Sequence, residues 1–278
     1  MTAFRSMGCD VCVSDSRAEN EIRELFDARD RRFSRFIDDS ELNAVNARPL
    51  GVAILSDDFA AMLELALRVA DATDGLVTPA VGAAIEAAGY DRDFDLLPPD
   101  REQGPEATVT DLAALALRGR VLLRTSPVVL DLNGVVKGKT VDDALELQGA
   151  GWVCAGGDLA TAVPVEVGLP GGGSILLREG GLATSSVAVR AWARGGALQH
   201  HLIDPATARP ARTPWRDVTV AAQHCVAADV AAKAALLLGR EAPSWLDRLG
   251  LPGRFVDGRG AVQVNRSWRG AVAEAQAA

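Results

Sequence analysis

Several features that define whole classes of protein are missing from this 278-residue chain. No stretch approaches 18 consecutive apolar residues, which excludes a membrane-spanning helix. The first 17 residues carry Asp10 and Asp15 but no apolar run and no small-residue cleavage site, so we expect no secretory signal and a cytoplasmic location. Basic residues are not in excess, because 29 Lys and Arg face 37 Asp and Glu. An acidic chain lacks the basic footprint of a nucleic-acid-binding protein and the basic face that an anionic membrane attracts.

Cysteine is also scarce, with four residues at positions 9, 12, 154 and 225. The Cys9-to-Cys12 spacing has no second cysteine pair nearby, so it is a weak signal for zinc. The segment around it alternates like a strand, and residues three apart in a strand point to opposite faces. We therefore predict free cytosolic thiols.

The composition that remains, 48% hydrophobic and 24% charged, is that of an ordinary globular protein. The spacing of apolar residues predicts helices over 17–33, from the cap at Ser56 to 72, over 79–89, over 140–148 and over 227–238. Residues 34–46 look like a polar loop. Strands are predicted at 121–124, 128–132, 153–155, 218–222, 254–257 and 261–264. Helices early and mixed strands later favour an α+β fold with two intimate lobes, in a single domain over 4–265 followed by a polar, Ala-rich tail over 266–278.

The segment from Leu130 to Thr140 resembles a phosphate-binding loop, because a predicted strand runs through a Gly-containing turn into a helix. Its glycines, Gly134 and Gly138, have three residues between them where a P-loop needs four, which argues against a nucleotide triphosphatase. A helix N-terminus still attracts phosphate, and Lys137 and Lys139 add positive charge. The alternative is an ordinary turn with surface lysines.

Only three histidines occur, and two of them, His200 and His201, are adjacent. A strand over 199–203 would direct them to opposite faces, so they would chelate a metal poorly and only one would face a cleft. Histidine titrates near neutral pH and serves as a general base, although a lone histidine is also common as a structural residue.

Three further charged residues carry alternatives. Asp229 and Lys233 are spaced i,i+4 and form either an exposed helical ion pair or, because Ala, Leu and Val surround them, a pair on a buried helix that needs a partner or ligand. Asp158 follows a Gly156-Gly157 turn, where a carboxylate usually caps backbone amides.

Taken together and in this order, short motifs resemble the ApbE-like flavin transferases, the FAD:protein FMN transferase family. The resemblance covers about residues 4–265. Its motifs are Ser6-Met-Gly8, Ser34-Arg-Phe36, Ser40-Glu-Leu-Asn43, Thr73-Asp-Gly75, Gly89-Tyr-Asp91, Leu130-Asp-Leu with Lys137-Gly138, Ala155-Gly-Gly-Asp158, Ala183-Thr-Ser185, His201-Leu-Ile-Asp-Pro205 and Ala228-Asp229.

The resemblance implies a flavoprotein enzyme that binds FAD in a cleft between its lobes. Such an enzyme moves FMN onto a Thr or Ser hydroxyl of an acceptor protein and releases AMP. It further implies that His201 is the catalytic base and that magnesium is a cofactor. The residues that it places at the cofactor are Met7, Phe36, Gly89, Tyr90, Asp131, Lys137 (near phosphate) and Ile203.

The implied magnesium ligands are the Gly134 carbonyl and Asp229, and here the sequence departs from the family pattern. The family has Thr four residues after the Asp, whereas this chain has Lys233, whose ammonium has no lone pair for a metal. Either Lys233 swings aside and magnesium keeps several waters, or the ammonium takes the place of the metal. Smaller departures are Cys9, where the family usually has Thr, and a shortened stretch after Asp158.

The sequence alone also allows two other functions. The first is a non-catalytic FAD-binding protein, which Lys233 favours. The second is an FAD pyrophosphate hydrolase that gives FMN and AMP, with water in place of the acceptor hydroxyl. His201 favours an enzyme of either kind, since a simple binding protein needs no base.

Overall fold

The computed structural model describes residues 1–98, 106–269 and 271 of the chain. The fold is α+β, as predicted. Its helices are α1 (Glu19–Phe33), α2 (Glu41–Asn46), α3 (Asp57–Ala72), α4 (Gly82–Ala87), α5 (Val136–Gln148), α6 (Cys225–Leu238) and α7 (Ala242–Arg248). Its strands are β1 (Thr2–Ser6), β2 (Cys9–Val13), β3 (Gly51–Ile54), β4 (Leu115–Arg118), β5 (Val121–Arg124), β6 (Trp152–Ala155), β7 (Asp158–Thr161), β8 (Val165–Gly168), β9 (Ser174–Leu177), β10 (Gly180–Ser186), β11 (Ala191–Arg194), β12 (Ala197–His200), β13 (Ile203–Asp204), β14 (Arg209–Pro210), β15 (Trp215–Ala222), β16 (Gly253–Asp257) and β17 (Val262–Val264).

The chain divides into two compact units. The first unit comprises residues 1–27, 137–189 and the described residues from 212 onward, and the second comprises 28–136 and 190–211. A single domain over 4–265 stays a prediction, and most of the predicted tail lies outside the described residues. Among the helices that are described, none is long and apolar enough to cross a membrane.

An eight-stranded antiparallel sheet forms the first unit, with the order β1-β2-β6-β7-β10-β15-β16-β17. Two of its hairpins close with two-residue turns, Met7-Gly8 and Gly156-Gly157, in which all four residues have positive φ. This is the turn geometry that matches the right-handed twist of a hairpin, and it favours glycine. Because β2 pairs with β6, both turns lie at the same end of the sheet.

The core of this unit lies where α1 and α5 cover the sheet. Phe4 and Phe26 meet edge to face with ring centroids 5.9 Å apart. Helix α6 is buried along most of its length against β10 and β15. Its first turn has no side-chain cap of its own, and the Asp142 carboxylate of α5 accepts the amide N–H groups of Cys225 and Val226 at 2.7 and 2.9 Å.

The second unit combines helices α2, α3 and α4 with a three-stranded antiparallel sheet in the order β3-β5-β4. Ser56 caps α3 as predicted, since its hydroxyl accepts the N–H of Phe59. The Arg124 side chain is fully buried and donates to the carbonyls of Val45 and Arg48. It thereby ties β5 to the end of α2.

Two predicted elements were wrong in this unit. Residues 128–132 form no strand, because their backbone groups bond to the carbonyl of Pro49, the amide of Gly82 and the side chain of Asn46 rather than to a neighbouring strand. The predicted polar loop over 34–46 contains α2, which Ser40 caps by accepting the N–H of Asn43.

Candidate active site

Three predicted cofactor residues of the second unit, Phe36, Tyr90 and Ile203, belong to one apolar cluster. The Tyr90 ring lies at the centre, 5.2 Å from the Phe36 ring and 5.3 Å from the ring of Trp192. Burial raises the pKa of the Tyr90 hydroxyl, so it stays protonated at neutral pH. Flat rings of this kind offer stacking surfaces to another aromatic ring system.

A buried ion pair supports this aromatic cluster. Arg35 donates its Nε to Asp131 Oδ2 at 2.6 Å and its Nη1 to the Tyr90 carbonyl at 2.7 Å, and the Arg35 and Asp131 side chains are each 2% exposed. The guanidinium also lies over the Phe36 and Tyr90 rings, 4.8 and 5.3 Å from their centroids. The other oxygen of Asp131 accepts the backbone N–H of Asn133 at 2.7 Å. Contact of Asp131 with FAD stays a prediction, and in this structure its carboxylate positions Arg35.

Gly89 ends α4 beside the same cluster, with φ of 103°. A Cβ at this position would lie 2.5 Å from Arg194 Nη1 and 3.2 Å from Trp192 Nε1. The Trp192 indole donates to the Ala88 carbonyl at 2.9 Å, which fixes the ring against the end of the helix. The positive φ therefore favours glycine here, and a side chain would also displace the Arg194 guanidinium.

The two adjacent histidines have different environments. His200 ends β12 and is buried, with Nδ1 accepting from the Leu202 N–H at 3.3 Å and Nε2 donating to the Ala211 carbonyl at 3.0 Å. Burial lowers its pKa, so it is a neutral structural residue. His201 comes after the end of the strand and is half-buried. The predicted strand over 199–203 is thus interrupted, and His201 is the member of the pair that stays a candidate base.

The remaining predicted cofactor residues, Met7 and Lys137, belong to the first unit. Met7 occupies the first hairpin turn with φ of 51° and packs partly buried against the core of the unit. Lys137 lies in the first turn of α5 and forms an ion pair with Asp158. Lys139 instead pairs with Asp143 along the same helix, so it is a surface lysine of the ordinary kind.

Contrary to the prediction, the Asp158 carboxylate does not cap the backbone amides of its own turn. It is fully buried at the start of β7, its Oδ2 contacts the Lys137 ammonium, and its Oδ1 has no hydrogen-bond partner among the described residues. Burial lowers the pKa of Lys137, while Asp229 and Lys233 act on it with opposite signs. These four side chains form a charge cluster of two lysines and two aspartates.

Asp229 and Lys233 form the other ion pair of this charge cluster, and α6 is the buried helix that the surrounding apolar residues indicated. Their side chains are 3% and 14% exposed, and Lys233 Nζ contacts Asp229 Oδ1. Asp229 Oδ2 is buried without a hydrogen-bond partner in the described part of the chain. Gly138 faces it, since a Cβ there would lie 2.8 Å from Val226 Cα and 3.3 Å from Asp229 Oδ2. The absence of a side chain at Gly138 lets the backbones of α5 and α6 approach closely.

The side chains around Asp229 match poorly the magnesium ion that the family resemblance implies. Among the described residues, no three His, Cys, Asp or Glu side chains are grouped as a metal site. Asp229 keeps one oxygen without a partner, but its charge is already balanced by Lys233, a donor-only group. Gly134, the other implied ligand, has no side chain and offers only its carbonyl oxygen. The side chains around Asp229 therefore do not fit a magnesium ion while Lys233 holds this position.

Sequence reasoning missed Arg35, Trp192 and the capping role of Asp142. Arg35 is the middle residue of the Ser34-Arg-Phe36 motif, and its place in that motif was the sequence signal that could have identified it. Trp192 carries no local signal, because only the folded chain brings β11 against the end of α4.

The chain is similar to known proteins in both sequence and fold. Residues 7–255 match the model of the ApbE family. The "FAD:protein FMN transferase" of Treponema pallidum is 30% identical over 263 residues, covering 81% of this chain and 72% of that protein. The protein of the same name from Vibrio cholerae is 26% identical over 256 residues, covering 82% and 76%.

Among solved structures, the ApbE protein of Thermotoga maritima superposes with a TM-score of 0.84 at 22% identity, over 96% of this chain and 97% of that one. That match shows the same fold over nearly the whole chain. With the family model matching most of its length, the chain belongs to the ApbE family.

Proposed function

We propose that this protein transfers the FMN half of FAD onto a Thr or Ser hydroxyl of an acceptor protein. The observation that carries the proposal is the match to two relatives named FAD:protein FMN transferase over about four fifths of the chain. In the reaction, the acceptor oxygen attacks the FMN phosphorus, the bond to the bridging oxygen breaks, and AMP leaves with the electron pair. The hydroxyl proton must be removed and the charge on the leaving phosphate must be balanced.

His201 is proposed as the base that takes the hydroxyl proton. Of the three histidines, His200 has both ring nitrogens bonded to backbone groups, and His224 is exposed at the start of α6. His201 is half-buried, next along the chain to the buried His200 and two residues before Ile203 of the aromatic cluster. A base in a partly desolvated position of this kind suits proton abstraction.

The aromatic cluster of the second unit is proposed to hold the flavin ring. Phe36, Tyr90 and Ile203 supply apolar contact, and the Arg35–Asp131 pair keeps the cluster rigid. Gly89 keeps the end of α4 free of a side chain at this place. Preorganised contacts of this kind reduce the entropy lost when a ligand binds.

In the first unit, Lys137 and Lys233 are proposed to balance the pyrophosphate charge, with Lys233 in place of magnesium. The charge cluster is close to neutral by itself, since each lysine has an aspartate partner. An incoming phosphate oxygen can take a lysine N–H while the aspartate keeps another, because an ammonium has three donors. Met7, in the hairpin turn at the end of the sheet where Asp158 begins β7, is proposed to contact the cofactor there.

Covalent transfer tests the function itself. Purified protein, FAD and a lysate of the source cells are combined, and flavin fluorescence is sought on a protein band of a denaturing gel. The band is expected in the wild type and in His224→Ala, the matched exposed histidine, and is lost in His201→Ala. A band of equal intensity with His201→Ala contradicts the role of His201, and folding of that variant is checked by its thermal midpoint.

The metal question is tested separately from turnover. We expect isothermal titration of the wild type with Mg²⁺ to show no site with FAD absent, and FAD affinity to be unchanged by EDTA. Lys233→Thr supplies a hydroxyl ligand and removes the ammonium, so it is expected to bind Mg²⁺ and to gain an EDTA-sensitive band. A wild-type band that disappears with EDTA refutes the substitution of metal by Lys233 and leaves the transferase function intact.

A non-catalytic FAD-binding protein is the second candidate, and the Asp229–Lys233 pair is the observation that favours it. A binder shows FAD affinity but releases neither AMP nor FMN in any mixture. Release of both without an acceptor instead indicates the FAD pyrophosphate hydrolase. Chromatography of the nucleotides from the same reactions separates the three functions.

A cytoplasmic location is likewise our proposal.

A further inference from the structure

The proposed function gives no role to the four cysteines. All four cysteines are thiols rather than disulfides, and Cys9, Cys12 and Cys154 are half-buried, so small solutes reach them. Cys9 packs with Val11 on the core face of β2, where its Sγ lies 3.5 Å from the Ser6 carbonyl oxygen. Residues three apart in a strand face opposite sides, so Cys12 points to the other face of the sheet. The spacing of two cysteines in the sequence therefore does not place their sulfurs together.

The sheet gives Cys12 a different neighbour. Cys12 of β2 lies directly opposite Cys154 of β6 in the antiparallel register. The flanking pairs are joined by backbone hydrogen bonds, from Ser14 N–H to Trp152 O at 3.0 Å and from Gly156 N–H to Asp10 O at 3.1 Å. Because such bonds recur at every second residue, Cys12 and Cys154 occupy a hydrogen-bonded pair, for which the Cα atoms lie about 5.5 Å apart. That Cα separation lies within the range that a disulfide spans, and closing the bond requires the two Cβ atoms to approach to within about 4.5 Å.

The two side chains also share one face and interact with each other. Cys154 packs beside Leu159 and Leu182, which continue the same cross-strand row. Burial raises the pKa of the Cys154 thiol to about 11, and the neighbouring Cys12 adds to the rise. The thiolate is the reactive form of cysteine, so the raised pKa of Cys154 assigns it the second step of an oxidation.

We propose that Cys12 and Cys154 are a modification site that closes to an intramolecular disulfide when the protein meets a peroxide. Cys12 loses its thiol proton and its sulfur attacks one peroxide oxygen, the O–O bond breaks, and the other oxygen leaves with that proton as water, so Cys12 becomes a sulfenic acid. Cys154 then gives up its thiol proton and attacks the Cys12 sulfur, the S–O bond of the sulfenic acid breaks, and that oxygen leaves with the proton as water. In total two thiols and one hydrogen peroxide give one disulfide and two waters, so both sulfurs are oxidised and the peroxide is reduced.

This bond would join β2 to β6 two residues before the Gly156-Gly157 turn. Met7-Gly8 precedes β2, and Gly156-Gly157 follows β6 and leads to Asp158, the partner of Lys137. Closing the bond restricts the unfolded chain between two positions that are distant in sequence, which raises stability unless the sheet is distorted. We therefore expect the thermal midpoint of the protein to rise after oxidation and to return after reduction.

Peptide mapping tests the proposal on the full-length protein. After treatment with hydrogen peroxide and alkylation of the remaining thiols, trypsin yields peptide 6–17, which holds Cys9 and Cys12, and peptide 140–178, which holds Cys154. The expected product is these two peptides linked, two hydrogens lighter than their sum, with two of the four thiols lost. Dithiothreitol restores both.

Single variants identify the sulfurs. Cys9→Ser, the matched control from the same peptide, is expected to keep the linked product, whereas Cys12→Ser and Cys154→Ser lose it. Thermal midpoints of the reduced variants check that they are folded. A bridge within peptide 6–17, a linked product that persists in Cys12→Ser, or four alkylated thiols after peroxide treatment each overturn the proposal.

Discussion

Removal of Arg35 is the most informative single change in the second unit. Arg35 and Asp131 form a salt bridge of 2.6 Å with both side chains 2% exposed, and the guanidinium also donates to the Tyr90 carbonyl. Arg35→Met keeps an unbranched chain of similar length but leaves the Asp131 carboxylate buried without its cation. Removing one partner of a buried pair costs about 3–5 kcal/mol in the free energy of unfolding. We expect a loss in this range at pH 7, measured by urea denaturation.

Two controls make this prediction refutable. Arg68→Met removes an exposed partner, since Arg68 and Glu64 are 63% and 65% exposed at 3.4 Å, and it should cost less than about 0.5 kcal/mol. The double variant Arg35→Met/Asp131→Leu removes both charges and should be more stable than Arg35→Met alone. If Arg35→Met costs no more than Arg68→Met, or if the double variant is less stable than Arg35→Met, then Arg35 does not stabilise the fold by balancing the buried Asp131 charge.

Three further outcomes are expected. Gly138→Ala should lose about 1–3 kcal/mol of unfolding free energy in urea denaturation, because its Cβ would lie 2.8 Å from Val226 Cα. Gly168→Ala, with open space around the new Cβ, is the control and should be nearly neutral. Equal effects of the two substitutions would contradict the close approach of α5 and α6. Asp142→Ala should cost about 1–2 kcal/mol by the same measurement, since it removes the cap of α6, and an unchanged midpoint would rule out that cap. The pKa of His200 is lowered by burial, so the unfolded state binds more protons and stability should fall as the pH drops below about 6.5; a His200→Gln variant that keeps this slope in thermal melts would assign it to another group.

Helix caps and helix ends, whose signals come from residues adjacent in the sequence, were predicted at the correct positions in α3 and α6. The Ser56 cap and the apolar periodicity after it predicted α3, and Gly239 ends α6 where expected. Residues 128–132 show the limit of such patterns. An apolar run fixes burial, but whether it becomes a strand depends on which backbone groups lie beside it, and here those belong to residues far away in the chain.

The sequence by itself determined the family, the α+β class and the motif residues, because each motif is a short run of neighbouring residues. Only the tertiary structure decided which side chains meet. Arg35 and Asp131 are 96 residues apart, yet they form one buried pair, and Cys12 faces Cys154 rather than Cys9. It also decided that His200 is structural and that Lys233 is joined to Asp229 on a buried helix. Burial and partner identity arise from packing between distant segments, so no local pattern of residue types encodes them.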